Sequence, residues 1–177
     1  MRTLRSIFGG RTMAALTTGT KAPDIQLKST DGKPFVLRDE LARGPVVLAF
    51  FKGACPVCQY AFPYLERLHQ TYAQKGYRLV GVSQDDAKAT AGFVREYAVT
   101  FPILLDDTRT YPASNAYGLT NVPTLFWISS DGMIEVSSVG WVKAEFEEIA
   151  SRMAAASSVP PAPIFKPGEE VRDFRAG

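Results

Sequence analysis

The sequence predicts an α/β fold with a central mixed sheet that is covered on both faces. In the middle of the chain, strand patterns alternate with helical patterns, which is typical of parallel strands joined by right-handed crossovers. The run at residues 46–51 is too continuously apolar for a half-exposed strand and indicates a central one. Two pairs of short strand patterns each flank an Asp-Gly turn signal, which predicts antiparallel hairpins.

Length and charge limit the possible functions. The 177 residues suffice for one domain with a sizeable core, and 46% hydrophobic with 21% charged residues is ordinary globular composition. The 20 basic and 18 acidic residues leave a formal charge of +2, so we expect neither a nucleic-acid partner nor an anionic membrane. Residues 1–14 lack an apolar stretch of secretory length. As written, the chain is expected to be cytoplasmic with no membrane segment; with a misassigned start, a periplasmic location is the alternative.

The predicted elements follow from periodicity and from turn residues. Residues 1–19 have no period and are expected to form a flexible arm. The domain is expected to span residues 20–156, and the prolines beyond it predict an extended tail at 157–177. Within the domain we predict, in order, a hairpin at 24–28 and 34–37, a strand at 46–51, a helix at 56–75, a strand at 77–83, a helix at 87–97, a short strand at 102–105, a helical turn at 112–117, a hairpin at 124–128 and 134–139, and a helix at 143–156. Pro63 predicts a kink in the first long helix, and Gly76 its C-cap.

The two cysteines are spaced for reversible disulfide chemistry. Cys55 and Cys58 are the only cysteines in the sequence, and they stand between the apolar strand and the first long helix. This spacing puts their sulfurs one helical turn apart, within reach of a disulfide. The N–H groups and the dipole at the helix N-terminus favour the Cys55 thiolate, so we expect Cys55 to be the nucleophile and Cys58 the resolving thiol. Pro56 suits the first helical turn, where its missing N–H is not needed.

A structural metal site is the first competing interpretation of the cysteine pair, and such a site usually needs four thiolate or imidazole ligands. The sequence has no second cysteine pair, and its one histidine, His69, lies about 16 Å along the same predicted helix at about 1.5 Å per residue. We therefore expect no metal, and no bound cofactor. The second competing interpretation, two buried thiols that only fill space, is disfavoured by the strand-to-helix context.

The order of the predicted elements resembles the thioredoxin fold. Three features carry the resemblance: the active-site turn at residues 51–58, Pro63 five residues after the second cysteine, and the segment 122–124, which is similar to the cis-proline segment that faces the disulfide in this family. The resemblance implies a three-layer α/β/α fold and a cis Val122–Pro123 bond. Only about 5% of X-Pro bonds are cis, so the base rate favours a trans proline that opens a strand, and we set that base rate aside on the resemblance alone.

By the same resemblance, four residues are expected to bind substrate. They are Val122 and Pro123, near which the backbone pairs with an incoming strand, and Pro56 and Val57 between the cysteines. The expected partners are protein disulfides or dithiols, together with a redox partner that recharges the cysteine pair.

Within this superfamily, residues 20–24, the first hairpin and the inserted strand and helix at 77–101 are similar to TlpA/ResA-like thiol–disulfide oxidoreductases and to their AhpC/TSA (peroxiredoxin) relatives. The peroxiredoxin pattern needs a threonine or serine, a proline and an arginine where this sequence has Lys52, Leu48 and Pro123. We therefore favour disulfide exchange over peroxide reduction.

Proton transfer needs a group that this sequence lacks at the usual place. The position that often holds a buried acid in thioredoxins is Ala49, whereas TlpA-like relatives have an acid near the end of the inserted strand, and Asp85 fits that place. By this resemblance Asp85 is the third expected catalytic residue, an acid/base for the Cys58 thiol. The alternative is that Asp85 caps the following helix. Lys52 either lowers the pKa of Cys55 or extends into water.

Together these features predict a thiol–disulfide oxidoreductase that works as a disulfide reductase through a mixed disulfide. Residues 56–57 include no cation that would strongly stabilise a thiolate, which argues against a powerful oxidant. One alternative is a thiol peroxidase in which Cys55 becomes a sulfenic acid and Cys58 closes on it. The other is a non-enzymatic adaptor of the same fold that senses redox state.

Overall fold

The computed structural model describes residues 14–72 and 77–177, and it has the predicted α/β architecture. The strands are β1 (Gln26–Ser29), β2 (Pro34–Val36), β3 (Val46–Phe51), β4 (Arg78–Ser83), β5 (Ile103–Leu105), β6 (Thr124–Ile128), β7 (Ile134–Val139), β8 (Trp141–Val142) and β9 (Phe174–Arg175). The helices are α1 (Leu37–Leu41), α2 (Pro56–Tyr72), α3 (Ala87–Glu96), α4 (Pro112–Ala116) and α5 (Lys143–Ala156). Seven strands form the main sheet in the order β2-β1-β5-β4-β3-β6-β7, and β8 pairs with β9 separately.

The sheet is mixed, with parallel pairs at its centre. Strand β3 pairs in parallel with β4, and β4 pairs in parallel with β5. The first hairpin, β1–β2, joins β5 through an antiparallel pair, and the second hairpin, β6–β7, joins β3 in the same way. Both predicted hairpins and the central position of β3 are therefore confirmed.

The register of the central strands brings three chain segments to one edge of the sheet. Phe51 lies opposite Ser83 at the carboxyl ends of β3 and β4, and Phe50 lies opposite Thr124 at the start of β6. The residues that follow β3, follow β4 and precede β6 must therefore meet at this edge. These are the segments that carry the cysteines, Asp85 and Pro123.

The continuous apolar run of β3 is explained by two core clusters, one on each face of the sheet. Alternate residues Val47, Ala49 and Phe51 face the cluster that includes buried residues of α2, α3 and α5. The intervening residues Val46, Leu48 and Phe50 face the cluster that includes α1 and α4. All six residues of β3 are fully buried. Helices thus cover both faces, which is the predicted three-layer arrangement.

The longer helices agree with the expectations over their described residues, and one short helix was not expected. Helix α1 was not predicted, because its five residues are too few to show a helical period. Pro63 lies inside α2 as predicted, and the described part of this helix ends at Tyr72. The expected last turn at 73–75 and the Gly76 C-cap lie outside the described residues.

The flexible arm expected at residues 1–19 is wrong for its described part, residues 14–19. The Leu16 backbone N–H donates to the Tyr117 carbonyl at 3.1 Å, and the Ser137 hydroxyl donates to the Leu16 carbonyl at 2.6 Å. Ala15 and Leu16 pack against the cluster on the α1 side of the sheet. Two apolar residues without a period can still dock when a complementary surface exists, which a periodicity argument does not detect.

Residues 157–177, which we call the return segment, fold back onto the domain. Prolines keep this segment free of helix, as expected, but Ile164, Phe165 and Val171 pack against the core cluster that contains α2 and α5. The Arg67 guanidinium makes two hydrogen bonds to the Glu169 carboxylate, at 2.7 and 2.8 Å. The segment expected to be an extended tail therefore packs against the domain, and α5 before it ends at Ala156.

The aromatic contacts of Phe165 give a test of this docking. Its ring lies 5.4 Å from that of Tyr64 and 6.1 Å from that of Phe146, between centroids. Because Phe165 is partly buried, we expect Phe165→Ala to lower the free energy of unfolding by about 2 kcal/mol. In the same segment Phe174 is 61% exposed, so Phe174→Ala is expected to cost less than about 0.5 kcal/mol. Urea unfolding of both variants measures the difference, and equal values would contradict the docked arrangement.

Candidate active site

The two cysteines lie where β3 gives way to α2. Cys55 precedes the first helical residue, and the Cys58 backbone N–H points at the Cys55 sulfur with N and Sγ 3.4 Å apart. Cys55 is half-buried, whereas Cys58 is fully buried in the core cluster. Neither cysteine is in a disulfide. Residues 56–59 include no acidic side chain that would oppose a thiolate at the helix N-terminus.

The proline segment expected to face the cysteines does so. The Val122–Pro123 bond is cis, as the resemblance implied. The Cys55 thiol donates to the Val122 carbonyl, with Sγ and O 3.2 Å apart. The Thr124 hydroxyl donates to the Asn121 carbonyl at 2.8 Å, and the Gly140 N–H donates to the Pro123 carbonyl at 2.7 Å. The segment is thus held on both sides of its proline.

Burial makes the two thiols chemically different. Desolvation raises the pKa of the Cys58 thiol well above its ordinary value, and the nearby Cys55 and the negative charge of Asp85 raise it further. A contact with the Lys52 backbone acts in the opposite direction and is outweighed. Cys58 therefore remains a protonated thiol at neutral pH, and Cys55 is the accessible sulfur of the pair.

Asp85 reaches the active-site turn instead of capping a helix. Its Oδ2 accepts the Gly53 backbone N–H at 2.7 Å, and the side chain is half-buried. The N-cap of α3 is the next residue, Asp86, whose Oδ1 accepts the Ala89 N–H at 2.8 Å. The capping alternative thus belongs to Asp86. Asp85 can approach this closely because residue 53 is glycine: a Cβ there would lie 3.3 Å from Oδ2.

The other expected site residues differ in their exposure to solvent. Pro56 is exposed beside Cys55, whereas Val57 is buried and packs in the core. Lys52 is exposed, in agreement with a side chain that extends into water. It borders a groove of about 350 Å³ on one side of Val122, whose other polar lining residues include Gln84, Asn115, Thr120 and Asn121.

Two site residues, Asn121 and Gly140, have no local sequence signal and were missed. Asn121 Nδ2 donates to the backbone oxygen of Gly177 at 2.9 Å, which ties the return segment to the proline loop. A Cβ at Gly140 would lie 2.5 Å from the Arg175 carbonyl oxygen, so the close backbone approach requires glycine. An isolated glycine after a strand gives no indication that a distant segment will pack against it.

Comparison with known proteins agrees with the geometry. The sequence model of the AhpC/TSA family matches residues 18–137. The chain belongs to the AhpC/TSA family. Two proteins to which the chain is similar are both named thiol-disulfide oxidoreductase ResA. The one from Bacillus subtilis (strain 168) is 31% identical over 130 residues, and the one from Geobacillus thermodenitrificans (strain NG80-2) is 30% identical over 132 residues. The first alignment covers 73% of this chain and 70% of the relative, and the second covers 74% of each.

A solved structure is similar in fold. The thiol:disulfide interchange protein, a thioredoxin family protein, from Chlorobium tepidum TLS has a TM-score of 0.63 and 26% identity, covering 81% of this chain and 99% of that one. The predicted thioredoxin-like fold and the predicted enzyme class, thiol–disulfide oxidoreductase, are therefore confirmed.

The described residues also bear on two other site types, membrane spans and metal centres. Within residues 14–72 and 77–177, no helix combines the length and apolar character needed to cross a membrane. Across the same two ranges, no three His, Cys, Asp or Glu side chains cluster closely enough to hold a metal ion.

The difference between the thiols predicts their order of alkylation. In a Cys58→Ser variant the remaining Cys55 is expected to react with iodoacetamide near pH 8 at least about a hundredfold faster than Cys58 does in a Cys55→Ser variant, because each unit of raised pKa removes tenfold of the thiolate. Cys58 should gain reactivity only as the pH rises above the ordinary cysteine range. Mass spectrometry of timed samples measures both rates, and equal rates at pH 8 would contradict the assignment.

Proposed function

We propose that this protein is a disulfide reductase that acts by two-electron exchange between its cysteine pair and protein disulfides. The supporting observation is the pairing of an accessible Cys55 sulfur with a buried Cys58 thiol one helical turn away. The Cys55 thiolate attacks one sulfur of the partner disulfide, and the other partner sulfur leaves as a thiolate that takes up a proton. Cys58 then loses its proton and attacks the Cys55 sulfur. The second partner thiol is released, and a Cys55–Cys58 disulfide remains.

The proposed second step needs a proton acceptor, because burial keeps Cys58 protonated. We assign this role to Asp85, the acid that lies on the active-site turn through its bond to the Gly53 N–H. A carboxylate held here also disfavours a free Cys58 thiolate, so the proton leaves only as the new sulfur–sulfur bond forms.

Substrate binding is assigned to the exposed side of the same edge. A partner strand is expected to pair with the backbone near Val122 and Pro123, and Pro56 borders the reacting sulfur. The relatives named thiol-disulfide oxidoreductase and thiol:disulfide interchange protein support this type of exchange.

The direction of electron flow is proposed from the residues between the cysteines. Pro56 and Val57 carry no charge that would stabilise a thiolate strongly and make the disulfide a strong oxidant. We expect a reduction potential nearer to about −270 mV, as in thioredoxin, than to about −120 mV, as in a strong oxidant. Equilibration in defined thiol buffers with quantitative thiol trapping measures it.

Trapping of the mixed disulfide tests the roles of the two cysteines. A Cys58→Ser variant is expected to accumulate a covalent adduct with a disulfide substrate, because no resolving thiol remains, whereas Cys55→Ser should form none. Non-reducing gels and mass spectrometry detect the adduct. The reverse pattern would exchange the two roles.

The same assay separates the proposed exchange from the peroxidase alternative. Hydrogen peroxide added to the Cys58→Ser variant would form a Cys55 sulfenic acid in a peroxidase. We expect slow oxidation compared with disulfide exchange. Rapid peroxide reduction with inactivity toward disulfides would overturn the proposed function.

Replacement of Asp85 tests the proton acceptor. Asp85→Asn keeps an oxygen that can accept from Gly53 but cannot take up the Cys58 proton, so we expect resolution of the mixed disulfide to slow at least about tenfold near pH 7. The loss should shrink as the pH rises, because Cys58 then ionises without help. Asp86→Asn is the matched control: asparagine also caps a helix, so this variant should keep the wild-type rate. An Asp85→Asn rate profile parallel to wild type at all pH values would remove Asp85 from the mechanism.

A further inference from the structure

Residues 174–177, which we call the flanking tetrapeptide, pack against the backbone of the proline loop. A Cβ at residue 177 would lie 2.6 Å from the Val122 carbonyl oxygen, the atom that contacts the Cys55 thiol, and 3.0 Å from its carbon. Asn121 Nδ2 holds the Gly177 backbone oxygen at 2.9 Å. This side of Val122 therefore has no room for another chain.

The flanking tetrapeptide is also fixed along its length. Phe174 and Arg175 pair with Val142 and Trp141 as strand β9 against β8. The Arg175 guanidinium lies 4.8 Å from the centroid of the Tyr60 ring, two residues after Cys58 on α2. The segment thus spans from the helix that carries the cysteines to the loop that faces them.

Val122 has two kinds of neighbour at this edge of the sheet. The flanking tetrapeptide packs against its carbonyl group, and Val122 also lines the polar groove that Lys52, Gln84 and Asn115 border. An extended partner strand needs main-chain contacts along the Val122 backbone, whereas a small disulfide needs only access to the Cys55 sulfur.

We propose that the flanking tetrapeptide determines substrate specificity by keeping the extended strands of folded proteins away from the Val122 backbone, while small disulfides, which need no main-chain contacts there, still reach the half-buried Cys55 sulfur. This inference rests on the proposed exchange reaction and refines its substrate class. Protein disulfides remain substrates, but they react at full rate only when the tetrapeptide moves aside.

A single added methyl group tests the proposal. In Gly177→Ala the new Cβ meets backbone atoms of Val122, which cannot yield cheaply, so the end of the tetrapeptide must move away from the loop. Gly92→Ala is the matched control, because its Cβ on α3 meets nothing within 4 Å. For Gly177→Ala we expect kcat/KM for insulin reduction to rise at least about threefold, with that for oxidised glutathione changed less than about 1.5-fold. The control should change neither value.

A second variant loosens the tetrapeptide without adding an atom near Val122. Arg175→Ala removes the guanidinium from the Tyr60 ring and should shift the insulin-to-glutathione ratio in the same direction. If both variants keep the wild-type ratio, or if both substrates slow equally, the tetrapeptide does not select substrates and the proposal is overturned.

A readout without turnover separates this proposal from the proposed function. In a Cys58→Ser background, Gly177→Ala is expected to speed the reaction of Cys55 with a polymer-linked maleimide more than its reaction with iodoacetamide. If the wild-type protein reduces no disulfide yet this difference appears, the tetrapeptide still limits access and the proposed function fails alone. If Gly177→Ala changes the rate of neither reagent, the tetrapeptide does not limit access to Cys55.

Discussion

The pairing of β3 with β4 on one side and β6 on the other is the constraint on which the site depends. Ladder partners Phe51 with Ser83 and Phe50 with Thr124 fix where β4 ends and where β6 begins relative to the cysteines. The contact between the Cys55 thiol and the Val122 carbonyl follows directly from this register. A slip of one residue would exchange the two faces of β3 and place side chains chosen for one core cluster in the other. The core therefore enforces the site geometry.

Burial distinguishes the chemistry of the two cysteines. Both sulfurs lie within one turn of the same helix, so the helix N-terminus alone does not separate them strongly. The inward face of α2 puts Cys58 fully into the core, while Cys55 stays at the sheet edge. Since a buried thiolate is costly, the proposed reaction has the accessible sulfur attack first and the buried one act only within the mixed disulfide. In that proposal the order of events comes from burial, before any specific acid or base is considered.

The parts of the fold that were predicted from the sequence are those with short-range signals. The Cys-x-x-Cys spacing, the Asp-Gly hairpins and the apolar run of β3 each depend on neighbouring residues. Asp85 and Asp86 show where such short-range reasoning stops. Two adjacent acids give a single helix-start signal, so the sequence does not show which of them caps the helix. In the structure Asp86 caps α3 and Asp85 accepts from the Gly53 N–H, a contact between residues far apart in the sequence. Helix α1 is too short to show a period.

The return segment could not be predicted for a different reason. Its prolines correctly exclude helix, but docking depends on partners elsewhere in the chain. Among them are the Trp141 indole, 31 residues away, whose N–H donates to the Arg172 carbonyl at 2.6 Å, and the Tyr60 hydroxyl, 112 residues away, which accepts the Arg172 N–H. Such contacts leave no period and no turn signal in the sequence. Likewise, the need for glycine at position 140 is evident only in the folded structure, where the Arg175 carbonyl packs against it.

The anchoring of the return segment links the outer face of α2 to the site. Arg67 lies on α2 about 2.5 turns after Cys58, and its two hydrogen bonds to the Glu169 carboxylate lower the pKa of that group to about 2. Because a lowered carboxyl pKa contributes stability above the unfolded value and loses it as the pH falls through the folded one, this anchor is complete at neutral pH and fails only in acid, between about 4.5 and 2. Arg67 on α2 thus anchors the segment whose residues 174–177 pack against the proline loop. Under the role proposed for these residues, a substitution on this face of α2, remote from either sulfur, is expected to alter access to Cys55 by releasing the segment.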